Sequence, residues 1–219
     1  MSAGTRDLAF GPEAPPKCTR CPRLVAYRSE NENQEPQWFN GAVPSFGAAD
    51  ASFLIVGLAP GRNGANRTGR PFTGDYAGDL LYDTLLRYGF AKGEYRARPD
   101  DGLELRNCMI TNAVRCVPPQ NKPEPKEIAN CRPFFDARLA NLPKLKIILA
   151  LGRIAHDQTL TTLGKRKMLF PFSHGARHDI EPNLALYDSF HCSRYNTNTG
   201  RLTTAMFHSV FEAIRQELP

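Results

Sequence analysis

Four short apolar runs punctuate the chain, at residues 53–58, 108–113, 146–151 and 184–187. Each is too short for an ordinary helix and lacks polar alternation, the pattern of a strand buried on both faces. The segments between them carry helical spacing. One helix begins at about Asp75, with Leu80, Leu81, Leu85 and Leu86 near one face. A second spans 124–142, with Pro125 near its first turn. A third covers 154–163. A fourth, 202–218, puts Leu202, Met206, Val210, Ile214 and Leu218 on one stripe. A short helix starts at Arg23. Loops are expected at 34–47, 88–106, 114–123, 164–178 and 189–200. Strands alternating with helices imply a parallel sheet covered on both faces. The expected fold is α/β: a three-layer α/β/α sandwich with a four-stranded parallel central sheet, one domain over residues 18–219. Residues 1–17, rich in Gly, Pro and Ala, are expected to be a flexible N-terminus.

Composition narrows the class. No apolar run approaches the roughly 20 residues of a membrane helix, so no membrane partner is expected. The start, MSAGTRDLAFGPEAPP, lacks the basic and apolar segments of a signal peptide, and a cytoplasmic location is expected. A net charge of +6 fits an anionic partner such as nucleic acid. The placement of arginine says more: Arg62, Arg67, Arg70, Arg194 and Arg201 lie in or beside two candidate ligand loops.

The first of these loops follows the first strand, with glycine at 57, 61, 64, 69 and 74. Strand, glycine loop and helix form the unit that places a ligand at the carboxyl end of a parallel sheet. No lysine lies between Phe53 and Lys92, so the loop is not a Walker A loop, and its glycine spacing is not the dinucleotide fingerprint. Either it is a surface turn with incidental glycines, or its backbone approaches a polyanion beside Arg62, Arg67 and Arg70.

Six cysteines in a cytosolic chain read as metal ligands or buried thiols before disulfides. Cys18 and Cys21 form Cys-x-x-Cys, and Cys116 and Cys131 have fourteen residues between them. Such spacing can gather four thiolates at one corner. Tetrahedral zinc, a four-iron, four-sulfur cluster and four unrelated thiols all remain open on spacing. Cys108 sits in an apolar run and reads as a core thiol, and Cys192 as a small filler.

Taken together, GLAPGRNGANRTGRPFTGD (57–75), TNAVRCVPPQNKP (111–123), HCSRYNTNTGRLT (191–203) and the four cysteines resemble the uracil-DNA glycosylase superfamily. The B-type enzymes of family 5 are the nearest pattern, over residues 18 to about 215. The resemblance implies the α/β/α fold, a site where the strand-end loops meet, and hydrolysis of the N-glycosidic bond to a damaged base. The products would be the free base and an abasic site. It implies uracil as substrate, with breadth toward deaminated purines such as hypoxanthine. It also implies that Cys18, Cys21, Cys116 and Cys131 hold a [4Fe-4S] cluster. The partner would be DNA, double- or single-stranded, carrying deaminated bases, and a monomer is expected.

Roles follow from the chemistry. A base inside a duplex must be flipped into a pocket, where Phe72 would stack on it and Asn112 would read its Watson–Crick edge. Gly57 and Ala59, in the same loop, complete the base-binding set. Cleavage builds positive charge on the sugar and negative charge on the base, which needs a carboxylate and a donor. Asp75, His191 and Asn121 are the catalytic candidates. Arg67, Ser193 and Arg194 would contact phosphate, and Tyr195 would enter the space the base leaves. Each has a plainer role: Phe72 as a core plug, Asn112 and Asn121 as turn residues, His191 as a structural histidine, Asp75 as a helix cap. Residues 58–60 are Leu-Ala-Pro, so no polar group directly follows the first-strand glycine, unlike many relatives in other branches. Two further readings compete: a non-catalytic, metal-stabilised nucleic-acid-binding module, and a nucleotide-binding enzyme.

Overall fold

Phe53–Gly57, Cys108–Asn112 and Ile147–Leu151 are buried at every position. Strands with no wet face need helices on both sides, and a computed structural model describing residues 10–218 has that arrangement. The strands are β1 (Phe46–Gly47), β2 (Phe53–Gly57), β3 (Ala91–Lys92), β4 (Glu104–Leu105), β5 (Cys108–Asn112), β6 (Ile147–Leu151), β7 (Arg177–Glu181) and β8 (Leu184–Ser189). The helices are α1 (Pro22–Gln34), α2 (Ala65–Thr68), α3 (Tyr76–Arg87), α4 (Pro125–Ala140), α5 (Arg153–Thr162), α6 (Arg194–Asn198) and α7 (Thr204–Glu217).

The main sheet runs β1-β5-β2-β6-β8-β7. Its four central strands are parallel, and they are the four apolar runs of the sequence. The sheet is nevertheless six-stranded and mixed, which corrects the expected four-stranded parallel sheet. β1 and β7 add antiparallel edges. β7 lies partly in the segment expected to be a loop. It buries only Ile180 and carries Arg177, His178, Asp179 and Glu181, so no apolar run marks it. Charge on an edge strand keeps it from pairing with another chain.

On one sheet face, Leu81 and Leu85 of α3 and Phe207, Phe211 and Ile214 of α7 cover Phe53, Ile55, Ile110 and Leu149. On the other, Phe135 of α4 and Ala155 and Leu160 of α5 cover Leu54, Val56, Ile148 and Leu186. The stripe expected on α7 is therefore wider than drawn, because Phe207 and Phe211 are fully buried beside it. Caps set the helix starts. Thr203 accepts from the Met206 N–H at 3.1 Å, so α7 begins at Thr204. Glu124 and Glu127 form a capping box on α4. No helix among the described residues is long and apolar enough to cross a membrane.

Part of the flexible N-terminus expected over 1–17, residues 1–9, lies outside the described residues. Residues 10–17 are packed against the body instead. Phe10 meets the edge of Phe134 at 5.4 Å, Ala14 is buried, and Glu13 pairs with Arg115 at 3.0 Å and with Arg138. Composition cannot register these long-range partners.

Candidate active site

At the carboxyl ends of β2 and β5, with the segment after β8 closing one side, lies a cavity of about 380 Å³. Gly57 pairs with Asn112 across the two strands. A β-carbon on Gly57 would come within 2.3 Å of Asn112 Oδ1 and 2.7 Å of the Phe72 ring. Glycine is thus what lets an amide and an aromatic ring meet over the strand end. Phe72 has φ +53, a conformation that bulky residues rarely adopt. Its carbonyl presses on Gly78, where a β-carbon would lie 1.8 Å away. Asn112 is 3% exposed, and its Oδ1 has no hydrogen-bond partner among the described residues. A buried acceptor left open costs about 1–3 kcal/mol, so a group that supplies a donor there is bound by the relief of that cost.

Asp75 and His191 also line the cavity. Asp75 caps α3, its Oδ1 accepting from the Gly78 N–H at 3.2 Å. Its other oxygen packs so closely on the glycine loop that a β-carbon on Gly64 would lie 2.2 Å from it. Burial raises the Asp75 carboxyl above the ordinary 3.8, against the pull of the Gly78 and Ala77 N–H groups. His191 stacks on Phe72 at 5.8 Å with 28° between the rings. Burial lowers its imidazolium to about 4, so the ring is neutral at pH 7. The structure brings together a carboxylate, a neutral imidazole, an aromatic face and an open amide. That set can hold a planar polar ring, donate to it, and face a developing cation.

Ala59, Asn121, Ser193 and Arg194 line the same cavity. Asn121 is exposed at the rim, delivered there by two consecutive left-handed residues, Gln120 at φ +55 and Asn121 at φ +57. Ser193 caps α6, and Arg194 lies 5.3 Å above the Tyr76 ring. Tyr195, on the same short helix, is 73% exposed. Gly57 is beneath the cavity rather than on its surface.

The arginines of the glycine loop divide. Arg70 is buried and makes two 2.8 Å bonds to Asp101, with its Nε on Thr73 at 2.7 Å. Arg62 donates to Asn31 and Gln34 and covers Trp38. Arg70 is spent on Asp101, while half-buried Arg62 keeps its charge uncompensated on neutral amides, which corrects the reading of three equivalent arginines around one anion. Arg67 is exposed but outside this cavity, donating to the Gly74 carbonyl at 3.3 Å.

Cys18, Cys21, Cys116 and Cys131 surround a separate small apolar cavity, and none is in a disulfide. Cys18 and Cys21 precede α1, Cys116 follows β5 and Cys131 is in α4. Cys131 Sγ accepts from the Arg115 N–H at 3.3 Å, Cys116 Sγ from Arg28 at 3.8 Å, and Cys21 Sγ from Asn130 at 3.7 Å. No three of these sulfurs lie within 4.8 Å of one another. Burial foremost pushes Cys116 up to about 12 and Cys131 up to about 11, so these two sulfurs become thiolates at pH 7 only with a cation beside them. Cys108 is a fully buried core thiol, and Cys192 is buried with its Sγ on the Ala77 carbonyl at 3.4 Å.

Sequence reasoning missed several supports. The Tyr95 hydroxyl contacts Gly74 N and the Phe72 carbonyl at 3.3 and 3.4 Å. His174 Nδ1 accepts from the Phe190 N–H at 3.1 Å, fixing the backbone just before His191. Both sit in segments read as connections, and nothing local marks them. Asp188, bonded to His156 at 2.6 Å and His178 at 3.1 Å, ties β8 to α5 and β7.

Comparison with known proteins accords with this geometry. The model of the Uracil DNA glycosylase superfamily matches residues 44–215. A Type-5 uracil-DNA glycosylase of Thermus thermophilus is 45% identical over 199 residues, 88% of this chain and 90% of that protein. A Type-5 uracil-DNA glycosylase of Pyrobaculum aerophilum is 38% identical over 190 residues, 85% of this chain and 82% of the relative. A Type-4 uracil-DNA glycosylase of Sulfurisphaera tokodaii is 30% identical over 182 residues, covering 80% and 76%.

Proposed function

The chain belongs to the uracil-DNA glycosylase superfamily, and from that premise we propose how its cavity removes a base from DNA. The protein is a DNA glycosylase, a hydrolase of N-glycosyl bonds. Its substrate is DNA containing uracil. The finer reading adds other deaminated bases such as hypoxanthine, on single or double strands, by a monomer in the cytoplasm.

The observation that carries the mechanism is the open amide of Asn112 beside the Phe72 ring. A flipped base stacks on Phe72 and supplies the donor that Asn112 Oδ1 lacks. As the glycosidic bond lengthens, negative charge moves onto the base and positive charge onto the sugar. Neutral His191 donates to the departing base, which a charged imidazolium would do at the cost of burying its charge. Asp75 faces the cation and orients the water that ends on the sugar. Burial keeps that carboxylate poorly hydrated, so its charge is worth more to the cation than in water. Asn121, Ser193 and Arg194 hold the strand at the rim, and exposed Tyr195 enters the vacated stack.

The four cysteines are proposed to hold a [4Fe-4S] cluster. A single tetrahedral zinc with Zn–S bonds of about 2.3 Å draws its sulfurs to about 3.8 Å. Four cysteines with no histidine among them, and N–H donors to three of the sulfurs, suit the larger group. The cluster would clamp the segment before α1 to α4 and take no part in base release.

Incubating the protein with a uracil-containing oligonucleotide, then cleaving abasic sites with alkali, tests the reading. Strand scission dependent on uracil is expected. DNA binding without release would favour the non-catalytic binding module instead.

A further inference from the structure

A second groove, about 450 Å³ and open, lies outside the active-site cavity. Its walls include Trp38, Phe39, Arg67, Ala97, Arg98 and Asp100. Resting on the reading as a DNA glycosylase, we propose that this groove is a second DNA subsite. It holds an unstacked nucleotide of the strand leading away from the flipped base, with the base against Phe39 and the phosphate at Arg67 and Arg98.

Phe39 is built as a platform. Its ring rests on the backbone at Gly41 and Gly69, where added β-carbons would lie 2.7 and 2.8 Å from ring atoms. Glycine at 69, at φ +76, therefore seats the ring while leaving Phe39 40% exposed. The segment is laced to the active-site loop: Phe39 N–H donates to the Arg67 carbonyl at 3.0 Å and Asn40 N–H to Asn66 at 3.1 Å. Beneath them the Asn66 amide donates to the Asn40 side chain at 2.9 Å. Across the groove, Ala97 holds φ +56, a strained conformation for a residue with a β-carbon.

The groove is tied to the active-site loop. Arg67 donates to the Gly74 carbonyl, and Gly74 precedes Asp75. A strand whose base enters the cavity would follow this loop to reach the groove. An aromatic face beside guanidinium groups is what a nucleotide needs, π-surface for the base and charge for the phosphate. Two arginines face one carboxylate here, Asp100, which Arg98 approaches at 3.3 Å. That balance favours an anionic over an apolar partner, and the Phe39 face favours a nucleotide strand among anions.

Trp38 is the only tryptophan in the chain, so its emission reports on this groove alone. The full-length protein is titrated with a single-stranded thymidine oligonucleotide, following Trp38 fluorescence and, separately, anisotropy of the labelled DNA. Quenching of Trp38 is expected. Phe39→Ala is expected to weaken binding by roughly five- to a hundredfold, the scale of one lost base stack, and Phe39→Tyr to restore it. Thermal melts check that the variants fold. If Phe39→Ala does not, the exposed Arg98→Ala decides by lowering the log–log salt slope of binding by about one. Wild-type affinity in Phe39→Ala, or an unchanged slope in Arg98→Ala where that variant decides, overturns the proposal. Uracil release is assayed on the same preparations. A protein that releases no uracil refutes the parent reading, and the binding data still judge the groove.

Discussion

Asn112 and Gly57 occupy partnered positions on the neighbouring strands β5 and β2, and the Asn112 amide oxygen fills the space where residue 57 would carry a β-carbon. Gly57→Ala must therefore push aside either the amide or the Phe72 ring. Single-turnover uracil release is expected to fall at least about tenfold, since a misplacement of about 1 Å can cost a hundredfold. A variant with wild-type release would mean that neither group needs its present position.

Asp75 serves as a helix cap and as a cavity carboxylate. Asn caps about as well as Asp, so Asp75→Asn should keep its melting temperature. Release should fall by roughly ten- to a thousandfold if the charge works on the sugar. Because burial raises this carboxyl above 3.8, the acid limb of the rate should lie above that value. A fully active Asn variant would assign Asp75 to capping alone.

His191 makes stability depend on pH. Its folded value of about 4 lies below the ordinary 6.5. The unfolded chain then binds more protons between these values. The stabilising share is complete above about 6.5 and is lost as pH falls through about 4. Asp75, raised by burial, has the opposite sign, so the comparison must cancel it. Relative to His191→Gln, the wild type should lose up to about 3 kcal/mol between pH 7 and 4 in denaturant titrations. Parallel pH curves would remove His191 from the buried groups.

Arg194 and Arg70 should separate cleanly. Arg194 is exposed at the rim, and Arg194→Ala should lower the log–log salt slope of DNA binding by about one. Arg70 is buried on Asp101, and Arg70→Ala should leave the slope alone while costing about 3–5 kcal/mol of stability. A reduced slope in Arg70→Ala would contradict its structural role.

Purified protein should be brown, with broad visible absorption and iron in proportion to chain. Cys116→Ser should lose iron and melt earlier, with activity lost as a consequence. An anaerobic preparation that is colourless and carries stoichiometric zinc would overturn the cluster.

The sequence by itself determined where the strands end. Residues 53–58, 108–113, 146–151 and 184–187 are mostly apolar, short and set between helical segments, which fits strands buried between two helical layers whose following loops share one edge. The cap at Asp75 and the meeting of the four cysteines at one corner were legible for the same kind of reason: capping and cysteine spacing are local. What tertiary structure decided is mostly pairing at a distance. Arg70 and Arg67 stand three apart in one loop, yet Asp101, 31 residues on, buries the first while the second stays exposed. Edge strand β7 forms because β8 offers it partners, not because its charged residues call for a strand. The open amide of Asn112 exists only because Gly57 and Phe72 leave it no partner. Local pattern reports how wet a segment is. Which charge meets which, and which polar atom is left open, depends on contacts between segments far apart in the chain.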